Sequence, residues 1–454
     1  MAIATTVRLI GRRRPRSALW ASREAFFTDL GIFILGVAGA LSVNVVGSFP
    51  GNEVLLMPLL PVLLLYKGSR AFRRQYLWFW ILVGAWLLGT VIADLYFSTP
   101  LVSRLKGTAR VVFFALNFAT LAILVNDKTR RIAIFALSLA VVMARTGFEF
   151  VGEYALMWKF GLSGAVAIPA LLLSSYYYVK RRYGICALIA VGLAGANLYY
   201  GFRSQLVVHL VAGVLILPLF NRAKMRRDVP AGGQSRFRIV VLLVLAGGAA
   251  YAANAAIKYG SQLGLFDESL QAKFETQSNG DYGVLVGGRP ETLVAIQAIR
   301  DSPILGHGSY PVDPKYLELK QDIQYEHGYS DSDNPEDIVD PVIPTHSHLT
   351  MAWVESGILG GICWIYIFIL TFRAVLQLGA LRPPMAPLYC YLLVWFLWDI
   401  LYSPFGSVNR IWAAFFILLS YHILQPGAHV LPVRRLQTKY LPVRRRLPLP
   451  RRAV

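Results

Sequence analysis

The segment THSHLTMAWVESGILGGICWIYIFILTF, residues 345–372, decides the fold class of this chain. From Leu349 to Phe372 it carries one charged side chain, that of Glu355. A helix of about 20 mostly apolar residues is long enough to cross the hydrocarbon core of a bilayer. The segment therefore predicts a membrane-spanning helix that begins beside two histidines, His346 and His348.

The rest of the chain repeats this composition. Hydrophobic residues make up 56% and charged residues 15% of the 454 positions, whereas a soluble domain carries about 25% charged residues. The apolar runs are continuous rather than alternating, which indicates helices. The twelve candidate spans are 26–47, 54–66, 77–97, 110–126, 131–148, 160–179, 183–202, 204–220, 237–257, 349–372, 385–405 and 408–425. The sequence predicts an all-α polytopic membrane protein.

The distribution of charge predicts the orientation. When the connecting segments are assigned alternately to the two sides, 32 of the 45 Lys and Arg residues fall on the side of the N-terminus. The loop 258–347 on the other side holds six basic and fifteen acidic residues, a net charge of −9. Basic residues mark the cytoplasmic side, so both termini are expected there. The overall charge of +20 then indicates contact with anionic lipid rather than with nucleic acid.

These assignments divide the chain into five parts. They are a basic cytoplasmic segment (1–25), helices one to nine (26–257), an outer loop (258–348), helices ten to twelve (349–425) and a basic cytoplasmic tail (426–454). One basic group, Arg104, Lys106 and Arg110, falls in a loop that the scheme places outside. Within the large outer loop, RPETLVAIQAIRDSP (289–303) has the apolar spacing of an amphipathic helix.

Several polar side chains on the predicted outer side are candidates for chemistry. They are Arg203, Arg289, His346, His348 and, near the outer ends of spans, Asp94, Arg145 and Asp399. Ionisable groups at membrane depth are costly and usually face a cavity or a partner.

Each candidate also has a structural interpretation. Arg203 is long enough to reach lipid headgroups, and Arg289 has acidic neighbours to pair with. Thr345, His346 and Ser347 are all placed to cap the helix that follows. Asp94, Arg145 and Asp399 are most simply interhelical ion pairs. The Asp331-Ser-Asp333 motif lies in a run of solvated acids, so we expect no metal site there.

The order of these motifs resembles the central region of the bacterial O-antigen ligase and polymerase superfamily. In that superfamily an Arg opens an amphipathic helix that runs into a Pro-(Leu/Ile)-Leu-Gly-x-Gly turn, here Arg289 and residues 303–308. A His then precedes a helix with an acidic-x-Gly-hydrophobic-x-Gly pattern, here His346 and residues 355–360. Arg203-Ser204 is similar to the family's Ser-Arg in a short outer turn, with the order reversed. The family's His is commonly followed by Asn, where this chain has Ser347.

The resemblance implies a fold and an activity. The fold is that of a GT-C-like glycosyltransferase with about twelve transmembrane helices and a periplasmic loop containing short helices. The activity is transfer of a glycan from undecaprenyl diphosphate to a sugar hydroxyl of the lipid A–core oligosaccharide. The partners would be the lipid-linked O-antigen, the lipid A–core acceptor and the lipids of a bacterial inner membrane.

The residue types suit that reaction. Arginine binds phosphate oxygens through a fixed fork, which assigns diphosphate binding to Arg203 and Arg289. A histidine accepts a proton near neutral pH, which assigns the catalytic base to His346, with Arg289 as its catalytic partner. His348, Asp399 and Arg145 are secondary candidates, and neither a metal nor a cofactor is expected. The spacing to Gly357 selects His346, and His348 should point elsewhere.

Other functions remain open from the sequence. An O-antigen polymerase uses the same donor but a second lipid-linked glycan as acceptor, and a protein O-oligosaccharyltransferase uses a protein. A transporter of lipid-linked glycan would use the same charges to line a pathway. Two observations argue against the transporter. The charges cluster at one face, and the sequence shows no paired broken helices in its two halves, which many transporters have.

Overall fold

The computed structural model describes residues 16–44, 47–126, 128–216, 289–326, 342–381 and 383–425, with isolated positions between 244 and 260. The helices in these ranges are α1 (Arg16–Ala38), α2 (Gly51–Lys67), α3 (Leu77–Tyr96), α4 (Leu101–Leu124), α5 (Thr129–Phe148), α6 (Tyr154–Met157), α7 (Ser163–Val179), α8 (Tyr183–Tyr199), α9 (Arg203–Ile216), α10 (Pro290–Asp301), α11 (Pro314–Glu326), α12 (His348–Leu381), α13 (Ala386–Tyr402) and α14 (Asn409–Leu424). A π-helical turn, Trp158–Leu162, joins α6 to α7. Two short strands, β1 (Ser42–Asn44) and β2 (Ser48–Pro50), form an antiparallel hairpin.

Five helical segments are long and apolar enough to cross a membrane. They are Arg74–Tyr96, Leu101–Leu124, Thr129–Phe148, Tyr154–Val179 and His348–Leu378. Four more apolar helices, α8, α9, α13 and α14, have 14 to 17 residues. A 17-residue helix is about 25 Å long, slightly shorter than a bilayer core of about 30 Å. The described chain is therefore mostly helical with little sheet, as expected of an α-helical membrane protein.

Several predicted regions lie outside the described residues. They are the first fifteen residues, most of the span 237–257, the end of the span 204–220, the loop residues 261–288, the acidic stretch with Asp331 and Asp333, and the tail 426–454.

Two predicted boundaries near the N-terminus are wrong. The first helix begins at Arg16, inside the predicted basic segment 1–25, and it ends at Ala38 instead of residue 47. The first strand of the β hairpin, Ser42–Asn44, lies in the remainder of the predicted span 26–47. Gly39 and Gly47 bracket a stretch rich in valine, and β-branched residues favour a pleated strand. Gly47 has a φ of +119°, a conformation that glycine adopts without steric cost.

The prediction that Arg104, Lys106 and Arg110 lie in a loop is also wrong. These residues lie in the first turns of α4, which begins at Leu101 rather than residue 110. Arg110 is buried and forms an ion pair with Glu355 of α12. Arg110 is one of the three basic residues that did not fit the predicted orientation. Its charge is neutralised within the bundle by Glu355.

The core of the bundle is built from aromatic side chains of α3, α4, α12, α13 and α14. Trp86, Phe114, Trp364 and Phe405 contact one another with ring centroids 5.0 to 6.0 Å apart. All four are at most 2% exposed. Aromatic pairs at such distances add stability beyond their buried area, so this cluster fixes the relative positions of the helices that surround the candidate site.

The alternating segments of the chain gather at two ends of the bundle. At one end, Arg131 and Arg130 pair with Asp29, and Lys67 pairs with Glu24. At the other end lie the hairpin, the outer-loop helices α10 and α11, and the turns that precede α4, α9 and α14. The segments that the sequence assigns to the outer side are therefore neighbours in space.

The turn 303–309 is fastened to a break in α12. The amide of His307 donates to the carbonyl of Val354 at 2.7 Å, and the amide of Ile358 donates to the carbonyl of Ile304 at 3.1 Å. Gly357, inside α12, has φ 61° and ψ −154°. A Cβ atom there would lie 1.9 Å from the carbonyl oxygen of Ile304. The glycines of the two motifs therefore allow a backbone-to-backbone contact between the outer loop and the bundle.

Gly357→Ala is expected to destabilise the folded protein severely. The new methyl group would overlap backbone atoms, and the positive φ is strained for any residue with a side chain. We expect the purified variant to unfold at a clearly lower temperature than the wild type, or to be lost from membranes. Gly195→Ala is the control, since nothing lies within 4 Å of the added atom. Equal melting temperatures for the two variants would contradict this account.

Candidate functional site

Arg289 lies directly before α10 and reaches the end of α13. Its guanidinium donates to the backbone carbonyl of Tyr402 in the last turn of that helix. The same group lies 5.8 Å from the ring centroid of Trp398 and 5.5 Å from that of Tyr402. Carbonyls at a helix C-terminus carry partial negative charge, which explains why the positively charged guanidinium of Arg289 binds at the end of α13. Part of its fork of donors is committed to this contact.

His346 lies just before α12 and is exposed. The helix cap is supplied by Ser347, whose Oγ accepts a hydrogen bond from the amide of Thr350 at 3.0 Å. The Ser347 hydroxyl also donates to the carbonyl of Ile400 at 2.9 Å, so the start of α12 is fixed against α13. His346 is therefore held next to a rigid helix start without being needed as its cap.

His348, unlike the exposed His346, is buried in the core of the bundle. It is 1% exposed, and its ring stacks on Trp364 with centroids 4.9 Å apart and planes 7° apart. Phe405 packs edge-on against it at 4.9 Å. The two histidines therefore point in different directions, as the two-residue spacing at a helix start predicts. His348 belongs to the aromatic core.

Charged side chains from three separate elements act electrostatically on His346. Arg289, Lys159 and Lys320 are close enough to disfavour its protonated form, whereas Glu291 favours that form. The pKa of His346 lies below its ordinary value. The largest cause is the displacement of water by nearby protein atoms, and the three cations lower the pKa further. We call Lys159, Arg289, Glu291, Lys320 and His346 the His346 cluster.

Glu291 and Lys320 fix the geometry of this cluster. Glu291 lies in the first turn of α10, and its carboxylate lies 3.7 Å from the ammonium of Lys320 on α11. The Lys320 side chain is only 5% exposed. Asp301 ties the same two helices together at 2.7 Å from both the Lys315 ammonium and the Tyr316 hydroxyl. Three cations and one carboxylate leave an excess of positive charge next to an accessible imidazole.

Arg203 begins α9, and its preceding turn packs near the segment that carries Lys159. The Trp158 ring stacks on Tyr200 with centroids 4.9 Å apart, and the Trp158 indole donates to Asn197 at 3.0 Å. Lys159 follows Trp158 directly. The α8–α9 turn with Arg203 is thus linked to the His346 cluster through the π-helical turn.

The other sequence candidates have separate partners. The Asp399 carboxylate accepts a hydrogen bond from Ser403 at 2.7 Å and interacts electrostatically with Arg289. Arg145, in the last turn of α5, pairs at 2.6 Å with Glu149, the residue that follows the helix. The expected interhelical pair is therefore wrong for Arg145, because an acid four residues later in the chain is its partner.

Asp94 contacts the outer loop instead of another span. It accepts hydrogen bonds from the amide and the hydroxyl of Ser309 at 2.6 and 2.8 Å. It therefore fastens the turn 303–309 to α3, which is a structural role that differs from the expected interhelical pair.

Lys159, Lys320 and Glu291 were missed by the sequence analysis. The position of Lys320 could have been recognised from the sequence. It lies on the same face of α11 as Tyr316 and Ile323, which pack in a small apolar cluster. A lysine at a position where an amphipathic helix should bury an apolar residue marks a partner or a site. Lys159 and Glu291 gave no comparable signal, because nothing in their spacing places them beside His346.

Metal ligation has no candidate among the described residues, in which no three His, Cys, Asp or Glu side chains lie together as ligands. The cations of the His346 cluster are instead suited to hold an anion, and the neutral imidazole is suited to accept a proton.

The chain matches no protein-family model and no curated protein.

Proposed function

We propose that this protein is an inner-membrane glycosyltransferase of the O-antigen ligase type. It would have about twelve transmembrane helices in a GT-C-like arrangement, both termini in the cytoplasm, and the His346 cluster facing the periplasm. The observation that carries the proposal is that Arg289, Lys159 and Lys320, from three separate elements, all act electrostatically on one accessible histidine. The motif order in the sequence supports the choice of family.

The reaction would use the two kinds of side chain in separate tasks. The hydroxyl oxygen of the lipid A–core acceptor forms a bond to the anomeric carbon of the glycan. The bond from that carbon to the undecaprenyl diphosphate breaks, and the diphosphate leaves with the electron pair. The hydroxyl proton passes to an imidazole nitrogen of His346. Attack opposite the leaving group inverts the anomeric centre.

The cations would stabilise the charge that develops on the leaving group. Arg289 supplies planar donors for phosphate oxygens, and an arginine remains charged even when partly dehydrated. Lys159 and Lys320 add point charges, and Arg203 is the further candidate for diphosphate binding. One preorganised donor aimed at developing charge contributes roughly 3–4 kcal/mol in other enzymes.

Complementation of a strain that lacks its O-antigen ligase tests the proposal. We expect this gene to restore glycan-capped lipopolysaccharide and to deplete the glycan held on the carrier lipid. Restoration of chain length in a polymerase-null strain would instead identify an O-antigen polymerase, and glycan on a periplasmic protein would identify a protein O-oligosaccharyltransferase. Release of lipid-linked repeats trapped inside the cell would identify a transporter.

Transfer is expected to decline only below the ordinary titration range of histidine. Displacement of water by nearby protein atoms and the neighbouring cations lower the pKa of His346, so the neutral base persists as the pH falls through about 6.5. Glu291→Gln removes the carboxylate that raises this pKa and should shift the acidic limb of the pH–rate profile to still lower pH. Glu318→Gln, an exposed acid on α11, is the control. An acidic limb that moves upward in the Glu291 variant would contradict the assignment.

Transfer is also expected to proceed in excess EDTA. Several cationic side chains are available to neutralise the diphosphate, and the Asp331-Ser-Asp333 motif is not assigned a role. The measurement is turnover of lipid-linked donor by purified protein before and after chelation. Loss of turnover that magnesium or manganese restores would assign a metal to Asp331 and Asp333.

A further inference from the structure

A second cavity opens at the same end of the bundle, with a volume of about 230 Å³. It lies between the β hairpin, the start of α4, the outer loop and the turn before α14. Its polar lining consists of Ser48, Lys106, Arg110, Tyr310, Ser407 and Arg410. None of the residues of the His346 cluster lines it.

The lining of this cavity is cationic and contains no carboxylate. Arg410 is fixed by a two-pronged contact with Glu53, from Nε and Nη2 at 2.7 and 2.6 Å. Arg110 is fixed by its ion pair with Glu355. The carboxylates therefore hold the two guanidinium groups in place from behind the cavity wall. Burying charges without partners would cost several kcal/mol, which explains why both arginines are paired.

Lys106 differs from the two arginines. Among the described residues, no acidic group lies within ion-pairing distance of its ammonium. Its stem lies against Gly47 of the hairpin, with the Cγ and Cε atoms 3.7 Å from where a Cβ atom would be. Its Nζ lies 5.6 Å from the ring centroid of Tyr310. A half-buried ammonium that has no carboxylate partner in the described part of the chain leaves one positive charge for a ligand to neutralise.

Tyr310 is held in a strained conformation at the cavity. Its φ of +48° lies in the left-handed region, which is strained for a residue with a side chain. Its ring covers the guanidinium of Arg110 at 4.4 Å, and its amide donates to Glu355 at 3.4 Å. The strain keeps an aromatic ring and a hydroxyl beside the cations, in a position where a sugar or a phosphate would contact both.

We infer that this cavity binds a phosphoryl group. The lysine point charge and the arginine donors not committed to Glu53 and Glu355 match the several oxygens of a phosphate better than the neutral hydroxyls of a sugar. Two sources would supply that group: the diphosphate of a lipid-borne donor, or a phosphate on a glycan that arrives from water. Phe405, which also lines the cavity, packs on His348 at 4.9 Å, so the bound group would lie close to the start of α12.

Titration of the full-length protein in nanodiscs tests this inference. All variants are made in an Arg289→Ala background, which weakens phosphate binding at the His346 cluster, and the effect of the cavity is measured as the difference between variants that share this background. The probes are inorganic pyrophosphate, undecaprenyl diphosphate and glucose 6-phosphate, with glucose as the uncharged comparison. Lys106→Gln should weaken binding by roughly tenfold or more, as expected for the loss of one charge-assisted hydrogen bond. Lys106→Arg should restore most of it, and Lys128→Gln, an exposed lysine before α5, should change nothing.

The probes distinguish the two sources. Binding of undecaprenyl diphosphate alone would support the inference with the lipid donor as the source. Binding of pyrophosphate and glucose 6-phosphate would support it with a glycan phosphate as the source. Absence of binding by all three phosphorylated probes, or equal binding by the parent protein and Lys106→Gln, would overturn it. Because the titration involves no glycosyl transfer, its result is independent of the proposed function.

Discussion

His346→Ala is expected to lower the rate of glycan transfer by about 10²–10⁴-fold, the usual contribution of a positioned general base. The side chain is exposed, and the helix cap is supplied by Ser347. The substitution should therefore leave insertion and folding intact. The measurement is glycan-capped lipopolysaccharide in a ligase-null strain, with the membrane level of each variant checked by blot.

The matched control for this result is His348→Phe. Phenylalanine retains the stacking on Trp364 and the edge contact with Phe405 that His348 makes, so the core should stay packed. We expect this variant to keep measurable transfer. Robust capping by His346→Ala together with loss in a well-folded His348→Phe protein would show that the assignment is two residues out of register.

Arg289→Lys is expected to lower transfer by about 10²–10³-fold, as for the loss of one preorganised donor. A lysine keeps the charge but loses the planar fork that binds two phosphate oxygens at once. It would also lose the defined contact between the guanidinium and the carbonyl of Tyr402. Initial rates at saturating donor measure the effect.

Arg300→Lys is the control for Arg289→Lys. Arg300 is exposed in the last turn of the same helix, α10, so the conservative change there should leave the rate unaltered. Full activity of Arg289→Lys would mean that Arg289 serves only to fasten α10 to α13.

Much of the helical arrangement could be predicted from the sequence. The apolar runs locate α3, α5, α12, α13 and α14 within a few residues of their observed ends, except that α12 continues to Leu381. The start of α10 at Pro290 also follows from its sequence, since proline suits the first turn of a helix. The periodicity of hydrophobic residues carries this information directly.

The boundaries that failed depend on contacts made far along the chain. The start of α4 was placed nine residues late because Arg104, Lys106 and Arg110 interrupt the apolar pattern. Arg110 is tolerated in a buried helix because Glu355, 245 residues away, neutralises it. No local pattern announces such a partner, and the same holds for the pair Glu53 and Arg410.

Some residues of the candidate site could be predicted from the sequence, and others depend on contacts between distant parts of the chain. Arg289 and His346 were identified from motif order, and the different surroundings of His346 and His348 follow from helix geometry. Lys159 and Lys320 come from elements that the motifs do not include. Only the folding of α11 and of the π-helical turn against the outer end of the bundle brings them near His346.

The most direct test of the account is a reconstituted transfer reaction. Purified protein would be incubated with glycan-bearing undecaprenyl diphosphate and lipid A–core oligosaccharide, and both products would be quantified. We expect one molecule of glycan-capped acceptor for each undecaprenyl diphosphate released, and at least about a hundredfold slower formation of both products with His346→Ala. Absence of capped acceptor with the wild-type protein, or equal yields from the wild type and His346→Ala, would contradict it.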